Sequence, residues 1–236
     1  MIVHSFTDIG LQRNENEDFY YADKDKGLFL IADGMGGHAG GEVASATAVR
    51  VFRDHFIGVT EENFENVFND LTILANDEIY ELSKRNSHLR GMGTTFIALA
   101  VHENKIFIAH VGDSRVYMVR DKTISQLTED QNLAGELLKE GQITEDEAMT
   151  HPGKKMLTNA LGRHDDFEID FLSFDFLNND IILMCTDGLV EFVKSDEIEN
   201  ILNGNKDLAK AGKKLLNLAL KRGGEDNITL ILIKNS

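Results

Sequence analysis

The chain has 236 residues, 42% of them hydrophobic, which is enough to bury a substantial core without help from disulfides or metals. Forty acidic residues against 24 Lys and Arg give a formal net charge of -16, a field that repels nucleic acid and anionic membranes and excludes both as partners. The single cysteine, Cys185, rules out an internal disulfide, and the amino terminus lacks the basic and apolar segments of a secretion signal, so a soluble cytoplasmic protein is expected.

The opening runs Ile2 to Thr7, Asp18 to Ala22 and Leu28 to Ala32 alternate or concentrate apolar residues as strands do, and a hairpin joins the last two. From Glu42 the period becomes helical, with Ala44, Ala48, Val51, Phe52 and Phe56 on one face; Phe64, Phe68, Leu71, Ala75, Ile79 and Leu82 repeat it in a second helix. Thr94 to Val101, Lys105 to Val111 and Arg115 to Arg120 are β-rich and read as an antiparallel meander. Residues 129–165, interrupted by Gly141, Pro152 and Gly153, form a weakly helical stretch with few apolar anchors, the segment expected to move. Strand-like Glu168 to Phe174 and Ile181 to Cys185 follow, then helices around Ser195 to Leu202 and Leu208 to Lys221, and a final β-prone run, Ile228 to Ile233. With strand and helix blocks segregated and no linker composition anywhere, residues 1–236 are expected to form one α+β domain of antiparallel sheets covered by helices.

The aspartates fall at special places. Asp33 ends the run Leu28 to Ala32, Asp113 follows Ile106 to Gly112, Asp187 follows Ile181 to Thr186, and Asp226 precedes the last strand. Any one Asp-Gly or Gly-Asp is an ordinary turn signal, but four carboxylates at strand ends can meet at one rim of packed sheets, where they repel unless cations neutralise them. A donor set of carboxylates, carbonyls and water suits Mg2+ or Mn2+ rather than zinc. The glycine-rich segment Asp33 to Gly41 lets the backbone turn sharply and gives the Gly34 carbonyl to an ion. It also fits a dinucleotide-binding spacing, Gly34, Gly36 and Ala39. Asp33 beside the would-be pyrophosphate and the antiparallel strands that follow weigh against that reading. Upstream, Arg13 offers a planar fork for phosphate oxygens, or merely offsets Glu15, Glu17 and Asp18.

These residues resemble the protein phosphatase 2C family, the metal-dependent protein phosphatases, along nearly the whole chain. In order come Gly10-x-x-Arg13-x-x-Asn16-Glu17-Asp18, Asp33-Gly34-Met35-Gly36-Gly37, Gly93-Thr94-Thr95, Gly112-Asp113-Ser114-Arg115, Thr186-Asp187-Gly188-Leu189 and Asp226-Asn227-Ile228-Thr229. The resemblance is to the compact, stand-alone bacterial serine/threonine phosphatases. It implies a four-layer α-β-β-α sandwich, two or three Mn2+ or Mg2+ ions, and hydrolysis of phosphoserine and phosphothreonine in proteins by a monomer opposing a serine/threonine kinase. Carried over by position, Asp33 bridges two ions, Asp187 and Asp226 complete the shell of one, and the Gly34 carbonyl binds the other. Glu17 and Asp18 hold metal-bound waters, Arg13 grips the substrate phosphate, and Asp113 with Asp187 makes a third site. Two bridged ions would ionise the attacking water, so no phosphoenzyme is needed.

The chain departs from the family's pattern in two places. Many eukaryotic relatives have histidine directly after the Asp-Gly, where this chain has Met35; His38 in the same loop, or a metal-bound water, is then the candidate proton donor, and a capping or surface role is the plain alternative for His38. Many relatives carry Asp-His-Ser where this chain has Asp130-Gln131-Asn132, at the start of residues 129–165, which the resemblance equates with the flap that covers the site in bacterial relatives. His110 and His151 read as structural. A cysteine phosphatase is excluded because Glu191 stands where its arginine would follow Cys185, no P-loop is present, and Asp23 to Gly27 is a hairpin turn rather than a calcium loop. The remaining alternative is an inactive relative that binds phosphoproteins without turnover; intact Arg13, Asp33, Asp187 and Asp226 weigh against it.

Overall fold

A computed structural model describes residues 1–36, 40–163 and 167–236. The first half runs β1 (Ile2–Asp8), β2 (Asp18–Asp23), β3 (Leu28–Met35), α1 (Gly40–His55), α2 (Phe64–Arg85), β4 (Gly93–Thr94), β5 (Phe96–His102) and β6 (Lys105–Val111). The second runs β7 (Arg115–Arg120), β8 (Thr123–Gln126), α3 (Leu133–Lys139), α4 (Glu145–Thr150), β9 (Asp170–Asp175), β10 (Ile181–Cys185), α5 (Asp187–Val190), α6 (Ser195–Gly204), α7 (Leu208–Arg222) and β11 (Ile228–Lys234).

Two antiparallel sheets result. One is five-stranded, in the order β1-β11-β10-β7-β8; the other follows β2-β3-β5-β6-β9, with β4 paired to the end of β3. Strand alternation explains the layers. Leu28, Leu30 and Ala32 on one face of β3 pack with Phe52, Phe68 and Phe96 under α1 and α2. Phe29 and Ile31 on its other face meet Met118, Ile182 and Ile231 between the sheets. In β11, Ile228, Leu230 and Leu232 face Ile198, Leu215 and Ala219 of α6 and α7, while Ile231 and Ile233 face inward. Central strands covered on both sides have no solvent face, so their sequences read as continuous apolar runs instead of clean alternation. Each such side chain, withdrawn from water, contributes about 1.5–3 kcal/mol, an upper bound against a partly collapsed unfolded chain. The outcome is the expected four-layer α+β sandwich.

The expected meander is corrected. β5 and β6 pair as a hairpin, but β7 leaves that sheet and pairs with β10 and β8 in the other. The turn between β6 and β7, at Gly112, Asp113 and Ser114, therefore crosses between sheets. Two short elements also lie outside the sequence reading: β8, whose four residues carry little periodicity, and α5, a single turn that follows Thr186 directly.

Candidate metal centre

The β2–β3 hairpin sets Asp18 directly opposite Asp33. The backbone of Asp33 is then fixed by Thr94 of β4 and by Thr95, the residue between β4 and β5: its N–H donates to the Thr95 hydroxyl at 3.0 Å, and its carbonyl accepts from the Thr94 hydroxyl and the Thr95 N–H, both at 2.9 Å. The Thr95 hydroxyl also contacts that of Ser114 at 2.8 Å, tying the Asp33 end of one sheet to the turn that carries Asp113. From the five-stranded sheet, the Thr186 hydroxyl donates to Asp18 Oδ2 at 2.9 Å. Two glycines permit this crowding. A Cβ on Gly34 would lie 2.1 Å from the Gly41 carbonyl oxygen, and one on Gly188 would lie 2.0 Å from that of Asn227.

The electrostatics express the crowding. Burial pushes Asp18 and Asp113 up to about 7 and Asp187 up to about 6, and neighbouring carboxylates add to each shift. Asp33 is raised well above its ordinary value, first by burial and then by Asp18, Asp187, Asp113 and Asp226 in turn. The cluster brings together Asp18, Asp33, Asp113, Asp187 and Asp226 from five separate places in the sequence. Glu17 stands at its edge, its carboxyl also raised by burial despite the pull of Arg13.

A divalent cation fits this set on two grounds. Asp18 Oδ1 and Glu17 Oε1 are buried with no hydrogen-bond partner, a costly condition for acceptor-only groups unless something positive faces them. The donors are hard oxygens throughout, as Mg2+ and Mn2+ prefer. Among the described residues no three acidic or imidazole side chains close on one point tightly enough to hold an ion by themselves. An ion held here would therefore complete its shell with water, as small hard cations that dehydrate reluctantly do. The nearby cations are already engaged: Arg13 Nη2 with Asp226 Oδ2 at 2.6 Å, and Lys154 and Lys155 with Glu191 at 3.9 and 3.4 Å. Arg115 makes a fork–fork pair with Asp130 at 2.7 and 2.6 Å.

Arg13 stands at the edge of the cluster, joined to Asp226 and 46% exposed, with burial opposing its charge and Asp226 outweighing that effect. Gly34 is buried in β3, its N–H donating to the Glu17 carbonyl at 3.1 Å. His38 lies outside the described residues. His110 is fully buried with Nε2 2.9 Å from the Ser114 carbonyl oxygen, and His151 accepts from the Gly153 N–H at 3.0 Å, both consistent with structural parts.

Several site residues carried no role in the sequence reading. Asn227 accepts from the Glu17 N–H at 2.8 Å and donates to the carbonyls of Ile9 and Glu15, stitching the loop that bears Arg13 and Glu17 onto the start of β11. Thr94 and Thr95 fix the Asp33 backbone, Ser114 contacts the Thr95 hydroxyl, and Thr186 holds the Asp18 carboxylate. Their signal in the sequence was their place inside the motifs, because nothing in a lone hydroxyl or amide foretells its partner. Gln131 and Asn132 were marked in the sequence as departures from the family's flap pattern, but their partners were not foretold. Asn132, 3% exposed, donates to Asp113 Oδ2 at 2.9 Å. Gln131 accepts from the Gly112 N–H at 2.6 Å and donates to Asp170 at 2.7 Å. A groove of about 1300 Å³ runs from Asp113 and Asp187 past these two residues, bounded by Glu136, Lys154 and Ser195.

A family profile described as Protein phosphatase 2C matches residues 12–232. The chain is 38% identical over 235 residues to the serine/threonine phosphatase stp of Listeria monocytogenes, covering 97% of this chain and 93% of that one. Its fold superposes on the Mycobacterium tuberculosis serine/threonine phosphatase PstP/Ppp with a TM-score of 0.93 at 32% identity, over 100% of this chain and 99% of that one. A structure of the catalytic domain of the serine threonine protein phosphatase PstP in complex with 2 manganese ions matches with a TM-score of 0.87 at 31% identity, over 98% and 96% of the two chains.

Proposed function

The chain belongs to the protein phosphatase 2C family, and from that premise we propose that it is a metal-dependent protein phosphatase that hydrolyses phosphoserine and phosphothreonine in proteins. The observation that carries this reading is the meeting of Asp18, Asp33, Asp113, Asp187 and Asp226 around buried, unpartnered carboxylate oxygens, with a guanidinium at their edge. In this reading Asp33, Asp187, Asp226 and the Gly34 carbonyl hold two divalent ions, Mn2+ or Mg2+, Glu17 and Asp18 orient water, and Asp113 with Asp187 serves a third ion. When bound, the ions neutralise phosphoryl charge and make solvent a competent nucleophile near neutral pH.

The chain's own groups do the rest. Arg13 exchanges Asp226 for the phosphate dianion, which its planar fork matches at least as well. Thr94 and Thr95 hold the backbone that carries Asp33, and Thr186 holds the Asp18 carboxylate, so that the donor groups reorganise little as charge moves. His38 is the candidate donor of the proton that the leaving serine or threonine oxygen needs. The same reading has residues 1–236 acting as one monomeric unit in the cytoplasm against the products of a serine/threonine kinase. No described helix is long and apolar enough to cross a membrane.

The test is phosphate release from a phosphothreonine peptide. Turnover is expected with Mn2+ or Mg2+, none with a chelator, and a loss of at least about 100-fold in Asp187→Asn. Metal-independent turnover, or none on any phosphopeptide, would overturn the assignment. Turnover of phosphotyrosine alone would overturn the substrate class.

A further inference from the structure

The two residues at which this chain leaves the family's flap pattern are the two that join the flap to the Gly112–Asp113 turn. Gln131 is held on both sides: its N–H donates to the Gly112 carbonyl at 3.0 Å, and its side-chain oxygen accepts from the Gly112 N–H at 2.6 Å. Its carbonyl also accepts from the Thr158 N–H at 3.0 Å, and Asn159 donates to its side-chain oxygen at 2.7 Å. Asn132 then uses one amide for two purposes. Its nitrogen donates to Asp113 Oδ2 at 2.9 Å, while its oxygen accepts from the Gly135 N–H, also at 2.9 Å, and so caps the first turn of α3. An amide plane is rigid, so these two contacts are mechanically linked: turning the side chain to release one disturbs the other.

We propose that Asn132 is a positioning residue that couples cation binding at Asp113 to the folding of α3 in the flap. The inference rests on the metal-centre reading above. With Oδ2 engaged by Asn132, Asp113 keeps Oδ1 for a cation. A cation drawn to that oxygen fixes the carboxylate, the carboxylate fixes the amide, and the amide fixes the helix cap. Linkage makes the effect reciprocal: an ordered α3 favours the cation by the same factor by which the cation favours an ordered α3. A fully apolar flap root would carry no such message.

The test separates the cap from the coupling. Asn132→Ser keeps a good N-cap but is too short to reach Asp113. Asp113→Asn keeps an acceptor for Asn132 but loses the charge that draws the cation. Mn2+ is titrated by calorimetry, and amide hydrogen exchange is followed from Gly135 to Glu140 with and without Mn2+. In the wild-type chain Mn2+ is expected to slow exchange across α3 by at least about 5-fold. In Asn132→Ser the weakest Mn2+ binding step should weaken by about 10-fold or more, and the slowing should vanish. In Asp113→Asn that binding step disappears and α3 exchange no longer responds to Mn2+. Wild-type exchange that Mn2+ leaves unchanged or accelerates overturns the coupling, as does an Asn132→Ser chain that behaves like wild type in both measurements. If Asn132→Ser fails to fold, the Asp113→Asn chain decides, since a persisting response of α3 there refutes the route through Asp113. A wild-type chain that binds no Mn2+ at all instead overturns the metal-centre reading itself.

Discussion

Thr95 is a fully buried hydroxyl that meets both the Asp33 N–H and the Ser114 hydroxyl. Thr95→Val keeps its shape and strands both partners without water, so a loss of about 1–3 kcal/mol is expected in urea unfolding. Ser114→Ala made in the same background is expected to add little, because its hydroxyl has already lost that partner. Cys185 is the opposite case, a buried thiol that burial pushes up to about 12. Iodoacetamide is expected to leave it unmodified in the folded chain near neutral pH and to label it once denaturant is added, as mass spectrometry would register. At this scale the sequence exposed the charged residues and hid the neutral ones. Asp33, Asp113, Asp187 and Asp226 stood out by their places at strand ends, and the structure draws them together. Asn227 and Thr186 did not stand out, because a hydrogen bond between groups well over a hundred residues apart leaves no local periodicity behind, and Asn132 stood out only as a departure from the family's pattern, not by its partner.

Helix α4 has no buried residue and is kept by a capping box between Thr144 and Glu147. An element with no apolar anchor opens at little cost to the rest of the fold. Limited proteolysis is expected to cut within α4 before any other helix. Thr144→Ala should speed that cut, by about 1 kcal/mol of lost capping, while leaving the urea midpoint of the whole chain nearly unchanged. The elements themselves were mostly visible beforehand, since long periodic runs such as α2 and apolar runs such as β3 and β11 declare their type. Their pairing was less visible. The Gly112-Asp113 turn looks like any hairpin turn, and only the packing of Val116 and Met118 against Phe29 and Ile97 sends β7 into the other sheet. The single turn α5 falls below the length at which a period can be recognised.

For the whole molecule, the carboxylate cluster sets a pH dependence. Asp18 and Asp113 titrate at about 7 and Asp187 at about 6 in the folded chain, against an unfolded value near 3.8. Between those limits the folded chain binds more protons than the unfolded one, so the stability from this source is full below about pH 4 and is lost as the pH rises through 6 and 7. Chelated protein is expected to lose urea midpoint between about pH 5.5 and pH 8, and Mn2+ added at pH 8 is expected to restore it. The net charge of -16 acts at longer range. Phosphopeptides with basic flanks are expected to show several-fold higher kcat/KM than acidic ones at low salt. That preference should shrink at about 0.5 M salt, where charges separated by more than a few ångströms are screened.

The bond from Thr186 to Asp18 and the one from the Glu17 N–H to Asn227 span the gap between the two halves of the sandwich at the rim where the acids gather. Through the middle that gap is filled by interleaved aliphatic and aromatic groups, which slide and yield gradually, and at the far rim Arg120 and Asn235 donate across it to the carbonyls of Asp175 and Phe176 at 2.7 and 2.6 Å. The molecule is thus clasped by short directional links at its two mouths and greased between them, and the clasp beside the acids is the one on which the site depends. Such a clasp is brittle. Pressure or dilute urea is expected to spring it first, silencing the enzyme while its interior is still whole.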